Sequence, residues 1–237
     1  MIRQYLRKVR YASSVLGRIL AGSQEYECPL CGYIGSFEAA AHPPRYAAKC
    51  PNCRSLERHR LLGLADAERN LFDGKAVLHF APEPVLRKLI ETKAARYVSA
   101  DITHGRADKV LNIERINEPD GSWDVIVCCH VLEHVNDEAA LKEMHRVLGE
   151  DGLLILMVPI IEGWESTYEN LEIVDGEQRE KHFGQNDHVR YYGRDLRDRI
   201  ASAGFIIELE ATASGEEAVR YSLMRGEKVF LSRKAAV

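Results

Sequence analysis

The sequence predicts a doubly wound α/β fold with a mostly parallel sheet, preceded by a small metal-stapled module. Three observations lead there. From residue 76 onward, short apolar runs alternate with amphipathic stretches of helical period, the pattern of repeated βαβ units. The run Val125-Ile126-Val127-Cys128-Cys129 is unbroken in its apolar character, as a strand buried on both faces must be. Upstream, four cysteines stand in two Cys-x-x-Cys pairs. A chain of 237 residues has room for one large domain and a small module at about 150 residues per domain.

Residues 1–22 carry five basic side chains and no acid, with Ile2, Leu6, Val9, Leu16 and Leu20 near helical spacing. They predict a basic amphipathic helix, solvated or packed on the domain, with contact to an anionic membrane surface as the weaker alternative. Arg18 interrupts the only candidate apolar run for a secretory signal, so a cytoplasmic chain is expected. No stretch approaches the ~20 apolar residues needed to cross a bilayer. The formal charge of −4 argues against a protein that coats nucleic acid with its whole surface.

Residues 23–56 hold Cys28, Cys31, Cys50 and Cys53. Two thiolate pairs closing one loop fit a structural zinc ribbon, in which four thiolates leave no coordination position open. Disulfides are the alternative, disfavoured in a reducing compartment. Lys49, Arg54, Arg58 and Arg60 cluster by the second pair, diluted by Glu25, Glu27, Glu38 and Glu57. Cys128 and Cys129 are adjacent on a strand and point to opposite faces, so they read as small buried hydrophobes.

Residues 57–237 form the main domain. The pattern predicts a helix over 55–72 and strands at 76–80, 97–100, 109–113, 123–129, 153–158, 205–209 and 228–231, seven in all. Helices are expected over 85–95, over 137–148 with Asp137 as cap, and over 193–203. The last two strands are expected as an antiparallel pair. Residues 160–192 interrupt the alternation as an insertion.

The strand-end acid Asp101, the block WDVIVCCHVLEHV (123–135) and the block ALKEMHRVLGEDGLLILMVP (140–159) resemble the class I S-adenosylmethionine-dependent methyltransferases of the type 11 kind, here with an N-terminal cysteine module. The resemblance covers about residues 70–235 and implies a Rossmann-like methyltransferase sheet and S-adenosylmethionine as cofactor. It also implies cofactor contacts from His79, Phe80, Ala81 and Glu83 after the first strand, with Glu83 as a candidate for the methionine ammonium or as a helix-start acid. Asp101 would take the ribose, Asn112 and Ile113 the adenine, and His130 the sulfonium end. The first turn departs from the family, because His79-Phe80-Ala81-Pro82-Glu83-Pro84 contains no glycine.

The insertion offers His182 and His188 as candidate bases and Tyr191 or Arg190 to position an acceptor. It holds eight acids against three bases between 160 and 190, which favours a small-molecule or glycan acceptor over a polyphosphate. Two alternatives stay open: an RNA methyltransferase that grips its substrate with the cysteine module, and a catalytically silent scaffold that keeps the fold.

Overall fold

The computed structural model describes residues 24–41 and 43–235; the basic stretch 1–22 lies outside them. Two small hairpins make the cysteine module: β1 (Tyr26–Glu27) with β2 (Ile34–Gly35), and β3 (Glu38–Ala40) with β4 (Arg45–Lys49). The main domain follows as α1 (Glu57–Arg69), β5 (Ala76–Phe80), α2 (Pro84–Glu91), β6 (Arg96–Asp101), β7 (Lys109–Val110), β8 (Trp123–Cys129), α3 (Asp137–Val147) and β9 (Leu148–Met157). The insertion carries β10 (Tyr168–Glu169), α4 (Gly176–Phe183) and β11 (Arg190–Tyr191), and the chain ends with α5 (Leu196–Ser202), β12 (Phe205–Thr212), α6 (Gly215–Arg220) and β13 (Lys228–Lys234).

Seven strands form one sheet in the order β12-β13-β9-β8-β5-β6-β7. All pairs are parallel except those of β13, which runs antiparallel to both β9 and β12. The apolar β8 lies in the middle, as its composition demands. The period of two divides its side chains between two cores. Ile126 and Cys128 join Leu78, Phe80, Leu141, Met144 and Leu196 on the α3/α5 face. Val125, Val127 and Cys129 join Val77, Leu61, Leu62, Leu86 and Ile90 on the α1/α2 face. The two adjacent cysteines are therefore buried on opposite sides.

Three details differ from the sequence reading. The third strand is only two residues long, because Asp108, just before it, turns back to accept bonds from the N–H and hydroxyl of Ser99. Asn136, not Asp137, caps α3, accepting from Ala139 N at 3.1 Å; Asp137 instead accepts from Tyr192 Oη and Arg199. The fifth strand begins at Leu148 rather than 153 and takes in the glycines at 149 and 152. They lie within β9, where pairing jumps from Trp123↔Leu148 to Val125↔Leu153 and a bulge absorbs the extra residues.

The module is bolted to the domain. Arg60 on α1 is fully buried. Its guanidinium donates to the carbonyls of Ala48 and Ser55 in the module and of Tyr221 and Ser222 beyond α6. Gly63 on the same helix meets Leu30 so closely that a Cβ would lie 2.1 Å from Leu30 Cδ2. Ser222 Oγ donates to Ala47 O, and Arg220 pairs with Glu27.

His79 sits fully buried on the α1/α2 side of β5, its Nδ1 3.0 Å from Tyr97 Oη. Burial drives its pKa down to about 3. The unfolded chain takes up this proton near pH 6.5, so the neutral buried ring stabilises the fold above that pH and loses its effect as pH falls from 6.5 toward 3. The expected slope from this residue is about 1.4 kcal/mol per pH unit in that window. Urea unfolding of His79→Gln between pH 7 and 4 should show a flatter dependence than wild type; equal slopes would remove His79 as the cause.

Candidate active site

The sheet order reverses between β5 and β8. The chain leaves β5 toward β6 and β7, then returns to build β8 and β9 on the other side. In such sheets the crevice outside the carboxyl ends at this point receives the ligand. Both strands end there in a left-handed residue that is not glycine: Ala81 at φ 48° and His130 at φ 55°. That conformation costs an L-residue roughly 1–2 kcal/mol, so both turns are held by their surroundings. Ala81 N donates to Ala100 O at 2.8 Å, and His130 N to Met157 O at 2.8 Å. Ala81 thus adopts the backbone that a glycine would supply, with only a methyl group in the way.

Asp101 is the last residue of β6 and is half-buried. Its Oδ1 accepts from Thr103 N at 2.7 Å, which fixes the side chain and leaves Oδ2 unbonded among the described residues. Asn112 is exposed and accepts from Glu114 N, while Ile113 is buried in the α3-side core. The side chains of His79 and Phe80 enter opposite cores, so only their backbone is available to a ligand. Glu83 is bound by Arg58 and, at 2.8 Å, by His59 Nε2. Burial alone would raise its carboxyl, but bonds from His59 and Arg58 outweigh that and hold it well below the usual carboxylate range. Its charge is already matched within the chain.

His130 faces two buried acids. Its Nδ1 is 3.3 Å from Glu133 Oε1 and its Nε2 is 3.7 Å from Glu227 Oε1. Burial raises the Glu227 carboxyl, with His130 and Arg58 opposing. Arg58, His59 and Glu227 were not visible as site residues in the sequence. No local motif marks them, and only the fold brings the start of α1 and the residue before β13 to the end of β8.

The four candidates of the insertion separate. His188 is buried, packs edge-on against His134 with ring centroids 4.6 Å apart, and is tied to the same turn by Val189 N donating to Glu133 O. Burial first, and His134 second, lower its pKa. His182 is exposed and bonded to Tyr168 Oη at 2.7 Å. Tyr191 packs with Trp164 and Phe183, its hydroxyl lying so near Gly184 that a Cβ there would sit 2.2 Å away. Arg190 is buried and spends its donors on Leu132 O, Val135 O and Glu169. The acidity of the insertion is also partly cancelled: Glu162, Glu165 and Glu169 pair with Arg197, Arg194 and Arg199, all outside it. The local charge is therefore less negative than the count between 160 and 190 suggested.

A cleft of about 720 Å³ opens beside His134, between the start of α3 and α5. Its walls include Glu114, Asp137, Glu169 and Asp195 facing Arg190 and Arg199.

In the module the four thiols are free, with Cys28 Sγ 3.5 Å from Cys53 Sγ and Cys31 Sγ 3.7 Å from Cys50 Sγ. Sulfurs at ~2.3 Å from a common tetrahedral ion lie about 3.8 Å apart, whereas a disulfide needs about 2 Å. The two knuckles repeat one geometry. Gly32 N donates to Cys28 O at 2.9 Å and Arg54 N to Cys50 O at 3.0 Å, and both donors are left-handed. Three of the four bases near the second knuckle are occupied: Arg54 by Glu38, Arg58 by Glu83 and Arg60 by backbone carbonyls.

Comparison with known proteins agrees with this geometry. A family model described as a methyltransferase domain matches residues 58–210. The uncharacterized protein MJ0638 of Methanocaldococcus jannaschii is 43% identical over 47 residues, which is 20% of this chain and only 21% of that protein. The structure is similar to 1,6-didemethyltoxoflavin-N1-methyltransferase of Burkholderia thailandensis, solved with bound 1,6-didemethyltoxoflavin and S-adenosylhomocysteine (TM-score 0.56, 13% identity, 76% of this chain and 79% of that one). It is similar too to YcgJ of Bacillus subtilis (TM-score 0.53, 16% identity, 76% of this chain and 100% of that one). Sheet order, the turns at the switch point and the family match agree: the chain belongs to the methyltransferase-domain family and is a class I S-adenosylmethionine-dependent methyltransferase.

Proposed function

We propose that this methyltransferase acts on a small polar molecule or a glycan, and that its four-cysteine module holds one structural zinc ion. The observation that carries the first part is the cleft beside His134. Its volume is that of a small-ligand site, and acids outnumber bases in its walls, with Glu114, Asp137, Glu138, Glu169, Asp195 and Asp198 against Lys142, Arg190 and Arg199. A nucleic-acid backbone needs the opposite sign, and three of the four bases near the second cysteine pair, Arg54, Arg58 and Arg60, are already engaged within the chain. The expected compartment is the cytoplasm, where thiolates stay reduced; among the described residues no helix is long and apolar enough to cross a membrane.

The residues at the switch point fit the cofactor. The free Oδ2 of Asp101 accepts from ribose hydroxyls, the Ala81 turn lets backbone approach closely, and the strand-end segment at Asn112 and Ile113 borders the adenine. His130, whose Nε2 is buried without a hydrogen-bond partner among the described residues, stands toward the reacting end. Bound there, S-adenosylmethionine supplies a methyl group on a positively charged sulfur, already activated as an electrophile. The chain's task is alignment and exclusion of water. His188 packs against His134, which lines the cleft; His182 and Tyr191 keep to the aromatic face of the insertion.

The test is a screen of acceptor classes with a radiolabelled methyl donor. Label is expected in small-molecule or glycan fractions; label in RNA would overturn the acceptor assignment. No label together with no binding of S-adenosylhomocysteine would leave only a silent scaffold. For the module, elemental analysis is expected to give one zinc per chain. Chelation should lower the melting temperature, because the ion organises the small core of Cys28, Phe37, Ala47 and Cys50. A metal-free protein with an unchanged melting temperature would contradict the zinc assignment.

A further inference from the structure

A second cluster of metal-binding donors lies outside the module. Glu133, His134 and His188 each offer one donor atom, and these atoms lie within 4.8 Å of one another. Donors at ~2.1 Å from one ion stand about 3–3.5 Å apart, so the cluster closes on a cation with side-chain shifts of about 1 Å. Buried polar atoms normally have partners. Here, among the described residues, Glu133 Oε2 and His188 Nδ1 are buried and have none, on residues only 2% and 4% exposed.

The remaining atoms of the cluster are already engaged in ways that orient it. His134 Nδ1 lies 3.2 Å from Asp187 O and 3.4 Å from Asp187 Oδ2, so it carries the proton and leaves Nε2 with its lone pair. Glu133 Oε1 faces His130 Nδ1. Such outer contacts fix tautomer and ring orientation at metal sites. The backbone also locks the two halves together, through Val189 N donating to Glu133 O.

We propose that Glu133, His134 and His188 bind a divalent first-row metal ion. Two imidazoles and one carboxylate suit such an ion, and three protein ligands leave coordination positions open, as catalytic sites do and the four-thiolate site does not. His134 also lines the cleft. Resting on the methyltransferase reading with a small polar acceptor, the open positions would take an oxygen of that acceptor and hold it at the end of β8. His188 then acts as a ligand rather than a base.

The test uses the whole protein and Mn²⁺, which carboxylate and imidazole accept and thiolates do not favour. Loss of the free-ion electron paramagnetic resonance signal is expected to report one Mn²⁺ per chain. Glu133→Gln, close in shape to the native side chain, and His188→Ala should each weaken binding by at least about tenfold. The half-exposed His134 gives a further variant, His134→Gln, that reads the same site without opening the core. His104→Ala, in an exposed loop, should bind as wild type does. No saturable binding, or equal affinity in all these variants, would overturn the metal site. S-adenosylhomocysteine binding is measured separately on the same samples. Mn²⁺ binding in a protein that does not bind it would keep the metal site and overturn the acceptor role.

Discussion

Asp101→Ala is expected to weaken binding of S-adenosylhomocysteine by about a hundred- to a thousandfold while leaving the fold in place. One carboxylate oxygen is committed to Thr103 N, and the other has no partner among the described residues. A hydrogen bond to a charged group contributes about 1.5–3 kcal/mol. Losing a carboxylate that accepts from two ribose hydroxyls therefore removes about 3–4 kcal/mol of binding, which is that fold-change. Stability should fall by only about 1 kcal/mol, because a single local turn bond is lost at a half-buried position. Asp101→Asn keeps an acceptor without the charge and should fall between the two. Calorimetry decides the matter: an affinity within about threefold of wild type would take the ribose role away from Asp101.

The largest expected effect on stability belongs to Arg60→Leu. The substitution keeps an apolar stem but strips hydrogen bonds from the carbonyls of Ala48, Ser55, Tyr221 and Ser222. Each buried acceptor left unpaired costs about 1–3 kcal/mol, and partial hydration lowers the sum to about 3–5 kcal/mol. The guanidinium also lies 4.8 Å from the centre of the Phe37 ring, inside the module. Loss of Arg60 should therefore loosen the cysteine module as well as the end of α6. Urea unfolding should show the loss, and the variant loaded with zinc should surrender it to a chelator faster than zinc-loaded wild type. Arg60→Lys keeps a charge but not the fork that reaches both sides, so it should recover only part of the stability. A loss below about 1 kcal/mol would mean that the module and the domain are held together by other contacts.

Much of the fold was legible because it follows from periodicity. The run from Trp123 to Cys129 states its own burial, and the alternation around it orders the strands. The cysteine pairs state their own geometry through spacing. What the sequence hid depended on pairs distant in the chain. The first turn lacks glycine, and nothing local reveals that Ala81 takes the left-handed backbone under the grip of Ala100. Glu83 looked like a free acid because Arg58 and His59, its partners, belong to a different helix. The insertion looked more acidic than it is because Arg194, Arg197 and Arg199, which neutralise part of it, lie just beyond its end. His182 and His188 looked equivalent as titratable residues six positions apart; burial and the contact with Glu133 and His134 separate them.

The most direct test of the whole account is a crystal structure of the protein grown with S-adenosylhomocysteine. The nucleoside should lie across the carboxyl ends of β5 and β6, with its sugar hydroxyls on Asp101 and its sulfur toward His130. Density for the ligand elsewhere, or a switch point filled by the chain's own side chains while the ligand is at saturating concentration, would contradict the account.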